Sequence, residues 1–333
     1  MRRLMIVLLT VLAACLASSI AAYAAEGALS DMPTEARSAE TGEYISFVEH
    51  RIDDEGLTGV PMRGADGCVV ADLDGDGHFD IVSCHEDSSH LRIAFGTADP
   101  DEWHTCTLAS GDVVGGVEDA ALGDLNGDGR IDIACACEKR HLVVFLSPDN
   151  PRQMDAWVPV KLQESLGRGS WIRTGIADIN DDGKPDIIGV NKGRTNFSYF
   201  TLEGEASDPA AWHEQVIGKH AKPINARAVD IDDDGDLDVM AASRGEKMIV
   251  LYENTGGGTS WTEHPVHTGK PASEGFMMEF TDLDGDGRLD IITEADHDGL
   301  VFWLRQPESF DEGWPVHIIG DLGPDDPTGL ENV

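Results

Sequence analysis

The chain has 333 residues, enough for one large domain or two ordinary ones, and 41% of them are hydrophobic, so a packed core is within reach. Its formal net charge of -38 argues against unaided binding to nucleic acid or to an anionic membrane surface, both of which need basic patches. Strongly anionic substrates are disfavoured too, unless a local patch reverses the sign.

The first element, residues 1–25, reads as an export signal. "MRR" is a basic head, "LMIVLLTVLAA" an apolar middle, and Ala22–Ala24 ("AYA") a small-residue cleavage site. "LAAC", ending at Cys15, offers a second reading as a lipoprotein signal, although Leu16 is an untypical follower. Simple secretion is preferred over the lipoprotein. A transmembrane anchor fits less well, because Ser18 and Ser19 break the apolar run. The mature protein is therefore expected outside the cytoplasm, periplasmic or secreted, with membrane contact only through a lipid on Cys15. Residues 26–44 read as a flexible linker and 45–333 as the folded part.

That folded part repeats. Five acidic segments begin at Asp72 ("DLDGDGHFDIV"), Asp124 ("DLNGDGRIDIA"), Asp178 ("DINDDGKPDII"), Asp230 ("DIDDDGDLDVM") and Asp282 ("DLDGDGRLDII"), at intervals of 52, 54, 52 and 52 residues. Periods of this size mark propellers or solenoids. Each loop lies between two short β-rich runs. An apolar strand such as "LVVFL" or "MIVLY" follows, and then a segment led by Trp103, Trp157, Trp212, Trp261 or Trp314. Four short strands per period, parted by turn residues, predict an all-β propeller of four-stranded blades, with the tryptophans packed between outer strands. "YISFVEHRI" resembles the fourth strand of a further blade, and the terminal "TGLENV" matches "GGVEDA" at Gly115–Ala120. The expectation is five complete blades and one split between the termini, cut short before a sixth loop, from a parent of six or seven blades.

Within the first loop, Asp72, Asp74, Asp76 and Asp80 occupy positions one, three, five and nine, with Gly77 at six and the carbonyl of His78 at seven. Alternating oxygen donors around a glycine turn suit calcium, not zinc. The other loops offer Asp124, Asn126, Asp128, Arg130 and Asp132; Asp178, Asn180, Asp182, Lys184 and Asp186; Asp230, Asp232, Asp234, Asp236 and Asp238; and Asp282, Asp284, Asp286, Arg288 and Asp290. The position-seven members again contribute backbone carbonyls. About one Ca2+ per loop is expected. Two bare carboxylates about 4 Å apart repel by up to roughly 4 kcal/mol at an effective dielectric near 20, more than the about 1 kcal/mol that a turn hydrogen bond returns. An EF-hand is excluded, because position twelve is Ser83, Cys135, Gly189, Ala241 or Thr293 and never glutamate.

These repeats resemble the FG-GAP and VCBS repeats of calcium-binding β-propellers, found in integrin α-subunits and in many exported bacterial proteins. The resemblance covers about residues 45 to 333 and implies calcium between the first and second strands of each blade. The Phe-Gly and Gly-Ala-Pro pairs of the integrin repeat are not clearly present, so the bacterial VCBS type fits better.

If calcium is structural, function belongs on the face opposite the loops. Strand alternation sends Asp119, Arg173, Asn225, Arg227 and Glu279 to the central channel mouth as candidate ligand-binding residues. The alternative is a solvated rim of internal ion pairs. Arg168, Arg173, Lys192 and Arg194 add a local basic patch in the third blade, suited to a carboxylate or sulfate. A binding module for a glycan or an extracellular protein is favoured over a propeller-type polysaccharide lyase or sugar dehydratase. Such an enzyme would draw a base from His85, His141 or His297 beside Arg173 and Arg227. Cys68 and Cys84 flank the first loop symmetrically, so a bridge across the hairpin and two buried thiols are both open readings.

Overall fold

In the computed structural model, which describes residue 42 and residues 50–295 and 298–321, each sequence period becomes one antiparallel four-stranded sheet. The first sheet joins β1 (Ala65–Ala71), β2 (Asp80–His85), β3 (His90–Phe95) and β4 (His104–Ser110). The second joins β5 (Val117–Gly123), β6 (Asp132–Cys137), β7 (Leu142–Leu146) and β8 (Val158–Lys161). The third joins β9 (Trp171–Ala177), β10 (Asp186–Asn191), β11 (Asn196–Leu202) and β12 (Trp212–Lys219). The fourth joins β13 (Pro223–Val229), β14 (Asp238–Ser243), β15 (Met248–Asn254) and β16 (Trp261–Thr268). The fifth joins β17 (Met278–Thr281), β18 (Asp290–Ala295), β19 (Leu300–Leu304) and β20 (Val316–Asp321). The sheets stand radially about an axis as five propeller blades, and β1 packs on β5, β5 on β9 and β9 on β13.

Burial explains the strand sequences. β2, β6, β10 and β14 are buried at every residue, since a blade's inner strands are covered on both faces. They accordingly read as continuous apolar runs rather than as alternating ones. β4, β12 and β16 are half-exposed and more polar. The apolar side chains meet between blades. Val82, Cys84, Ile93 and Phe95 pack on Ala120, Ile133, Cys135 and Cys137 between the first two blades. Ala134, Val144 and Leu146 pack with Trp171, Ile187 and Trp212 between the second and third. A larger cluster joins the third, fourth and fifth through Tyr199, Val239, Tyr252, Ile291 and Phe302. Each such buried aliphatic or aromatic side chain stabilises by about 1.5–3 kcal/mol. Trp157, Trp212 and Trp314 are buried in these clusters, as the sequence predicts, and Trp103 and Trp261 are partly buried. Four of the five indoles donate to a nearby carbonyl, as Trp157 Nε1 does to Pro151 at 2.9 Å.

A short segment leads into the first blade. Helix α1 (Glu55–Thr58) is capped by Asp54, whose carboxylate accepts from Leu57 N at 2.8 Å. Beside it, Asp53 forms a buried ion pair with Arg92 at 2.7 Å. Of the expected extra fourth strand, only His50, Arg51 and Ile52 are described, and they are irregular. Residues 45–49 and "TGLENV" lie outside the described residues, as do the signal and most of the linker. No helix among the described residues is long and apolar enough to cross a membrane.

Of the two open readings of the thiols neither holds in full: no bridge forms, and Cys84 is buried while Cys68 is exposed. Cys68 and Cys84 are both free, as are Cys106, Cys135 and Cys137. The register pairs Ala71 with Asp80 and therefore Cys68 with Ser83. Cys84 is thus one residue out of step and turns into the core between the first two blades.

Candidate functional site

Each acidic loop joins the first strand of its blade to the second. Asp72 Oδ1 accepts from Gly75 N at 2.8 Å and Asp76 N at 3.1 Å, and its Oδ2 accepts from Gly77 N at 2.9 Å. Asp124 and Asp282 repeat this pattern, and Asp178 keeps the bonds to Asp182 N and Gly183 N. The coil needs a left-handed residue at position four. Gly75 supplies it with φ 72°, and Asp181 and Asp233 adopt it with φ 55° and 60° in the third and fourth loops. Short polar side chains tolerate that region.

The position-nine aspartates are pins. Asp80 is fully buried, takes Leu73 N at 2.8 Å on one oxygen and takes Gly96 N at 2.9 Å on the other. Asp132 holds Leu125 and Ser147 likewise, Asp238 holds Ile231 and Asn254, and Asp290 holds Leu283 and Gln306. Burial pushes Asp132 and Asp186 up to about 6 and Asp238 up to about 7, against the pull of these backbone donors.

The donor set suits a hard cation. Asp72, Asp74 and Asp80 each offer an oxygen within 4.8 Å of the others, as do Asp230, Asp232 and Asp234, and Asp282, Asp284 and Asp290. Oxygens of Asp186, Asp230 and Asp236 are buried with no hydrogen-bond partner among the described residues. Several acidic clusters thus have the chemistry to chelate a divalent ion. The loops are not equivalent. Arg152 reaches from the second blade to Asp74 and Asp76 of the first loop. Arg130 pairs with Asp128 and Asp149, and Arg288 and Arg305 with aspartates of the fifth loop. The fourth loop has no arginine partner among the described residues. Burial and then Asp234 raise Asp232 there. In the fifth loop, the backbone donor and charge of Arg288 and the Arg305 fork outweigh burial and lower Asp286.

On the other face, the five predicted mouth residues lie on first strands, and they are held by one another or by backbone of the next blade. Asp119 takes Thr174 N at 3.0 Å and stands 3.9 Å from Arg173. Asn225 is buried and donates to the carbonyls of Gly275 and Phe276. Arg227 pairs with Glu279 at 3.4 Å. The rim therefore stitches blades together. The Arg173 guanidinium also lies 4.5 Å over the Phe276 ring.

The structure adds residues that strand alternation misses. Asp66, Glu118, Ile172, Ile224 and Phe276 each stand six residues before a loop's first aspartate, and all five line one axial pocket of about 220 Å³ with Arg173, Lys192 and Arg244. In the first four blades a β-bulge is responsible. The register slips between Ala65 and Cys68, between Val117 and Asp119, between Arg173 and Trp171, and between Pro223 and Asn225. The extra residue, Glu118, Ile172 or Ile224, is re-aimed toward the axis.

The basic patch of the third blade divides. Arg168 is held by Glu214 at 2.6 and 2.9 Å and lines a separate cavity of about 570 Å³ with Lys139, Arg140, His141 and Lys161. Lys192 bonds Glu138 at 2.6 Å. The histidines offered as bases do not gather at the axis. His85 is fully buried beside Ser83 at 3.1 Å, and burial lowers it to about 4. His141 meets the Val113 carbonyl at 3.2 Å. His297 lies outside the described residues.

Fold and loops together define a repeat β-propeller with an acidic loop in every blade. The model of the FG-GAP-like repeat matches residues 72–135, 124–189, 178–241 and 230–293, more than half of the chain, and the chain belongs to this family. No curated protein gives a significant match. Among solved structures, an Agrocybe aegerita lectin that recognises non-reducing terminal N-acetylglucosamine is similar in fold. It is 15% identical, has a TM-score of 0.57, and the match covers 86% of this chain and 74% of the lectin. YCF48 from Cyanidioschyzon merolae is matched at 8% identity and a TM-score of 0.46, over 78% of this chain and 74% of that one.

Proposed function

We propose that the protein is an exported propeller of the bacterial VCBS type, stiffened by calcium in its loops, that works as a binding module. It presents the mouth opposite those loops to a glycan or an extracellular protein. The carrying observation is the axial pocket, to which every blade contributes the residue six before its loop. Calcium fits the loops because carboxylate oxygens gather within 4.8 Å in the first, fourth and fifth, and because oxygens of Asp186, Asp230 and Asp236 are buried without a hydrogen-bond partner among the described residues. When bound, the ion would cancel the carboxylate repulsion and fix the hairpin. Export would rest on residues 1–25, with Cys15 as the alternative lipid anchor, and nucleic acid is not an expected partner.

A glycan array and a pull-down from envelope proteins, each run with calcium and with chelator, test this reading. Calcium-dependent binding that is lost when the mouth is altered supports it. Release of unsaturated products from uronic-acid polymers, abolished in Arg173→Ala, would replace it with the lyase. Calorimetry should show several calcium sites of about 10⁻⁴ to 10⁻³ M. Absence of heat, with no change of melting in chelator, would remove calcium from the account.

A further inference from the structure

We infer that the axial pocket takes a small dipolar unit, with a carboxylate and a protonated amine on one skeleton of amino-acid or monosaccharide size. This rests on reading the mouth as the binding face and adds the chemistry of the group bound. The volume of about 220 Å³ lies below the usual range for drug-sized ligands, about 300–1,000 Å³. One small unit fits.

The wall from the third and fourth blades carries Arg173, Lys192 and Arg244, of which Lys192 is paired with Glu138 and Arg244 with Glu274, each at 2.6 Å. Arg173 is its anchor. The side chain is 13% exposed, and its one ion pair among the described residues, to Asp119, is 3.9 Å long, beyond hydrogen-bond reach. Phe276 holds the guanidinium plane from one side at 4.5 Å. A fixed planar fork with unmet donors, opening on a cavity, matches the two oxygens of a carboxylate.

The wall from the first and second blades is acidic, with Asp66 and Glu118. Glu118 has no ion pair among the described residues, whereas Glu86 is matched by Lys139 at 3.0 Å and Glu138 by Lys192 at 2.6 Å. Burial, then Asp66, Glu138 and Glu86, push Glu118 up to about 8, with Lys192 pulling the other way. A protonated amine at this wall would supply the missing positive charge. Ile172, Ile224 and Phe276 offer carbon surface to the skeleton.

Two sources share this chemistry, a free amino acid and an amino sugar with an acidic substituent at a glycan end. Calorimetric titration separates them with two sets of probes. The first is muramic acid against glucosamine and glucuronate, and the second is L-phenylalanine against phenethylamine and 3-phenylpropionate. The two-charge member of one set should bind, and its one-charge relatives about ten-fold or more weaker. Arg173→Lys, which keeps the charge and loses the fork, and Lys192→Gln should weaken carboxylate-bearing probes by about ten-fold. Glu118→Gln should do the same for amine-bearing probes, and unchanged melting certifies the fold. A one-charge probe that binds as well as the two-charge probe overturns the inference. So does silence from all six probes while the array or pull-down still shows binding, and that result leaves the binding-module reading standing. Failure there as well removes both.

Discussion

A buried aspartate that grips two backbone N–H groups is worth more to a blade than its charge suggests. Asp80 closes the loop through Leu73 and ties it to the end of β3 through Gly96. Asp80→Ala leaves two buried donors unmet at about 1–3 kcal/mol each. Chemical denaturation should therefore show a loss of about 2–6 kcal/mol, and a loss under about 1 kcal/mol would deny the pin. The same aspartates set a pH dependence. Asp132 and Asp186 stand at about 6 and Asp238 at about 7, above their ordinary 3.8. Without calcium the folded state holds these protons to higher pH than the unfolded chain. Stability then falls as pH rises through about 4 to about 7. Melting in chelator should drop between pH 5 and pH 7.5, and a rise would contradict the buried-acid picture.

The loops, taken as elements, differ in how their charge is met. The fourth carries six aspartates between Asp230 and Asp238, while Arg288 and Arg305 serve the fifth. Asp232→Asn removes a repelling charge and also a ligand. It should raise the melting point in chelator and lower it in calcium, and the same sign in both solutions would refute a cation at that loop. The loop elements were legible in the sequence because their donors lie within nine residues of one another. So was the propeller, from its period. Relations across strands were less so. Hairpin symmetry alone brings Cys68 opposite Cys84, but the register Ala71 to Asp80 shifts the partner to Ser83. Period-two alternation reaches Arg173, which lines the axial pocket, and then fails one residue earlier, where the bulge turns Glu118 and Ile172 toward the axis. A bulge leaves no mark in a single strand's pattern. Only the five-fold comparison of residues 66, 118, 172, 224 and 276 exposes the position, through its change from acid to aliphatic to aromatic.

The whole molecule is a row of similar units in which neighbours hold one another's loops. Arg152 of the second blade grips the first loop. Asn254 of the fourth donates to the Ile179 carbonyl in the third at 3.1 Å, and Gln306 of the fifth to Ile231 in the fourth at 2.8 Å. Each of these three ties joins a later blade to the loop of the blade before it, so a loop and the blade that follows it are coupled. Such an array follows nearest-neighbour statistics. Damage at the fourth loop, by Asp232→Ala, should raise amide exchange in the fourth and fifth blades and leave the first two protected. The blades then act less as one rigid wheel than as a row of clasped links, in which the shape of the first, third and fourth loops also sets the grip of the blade that follows.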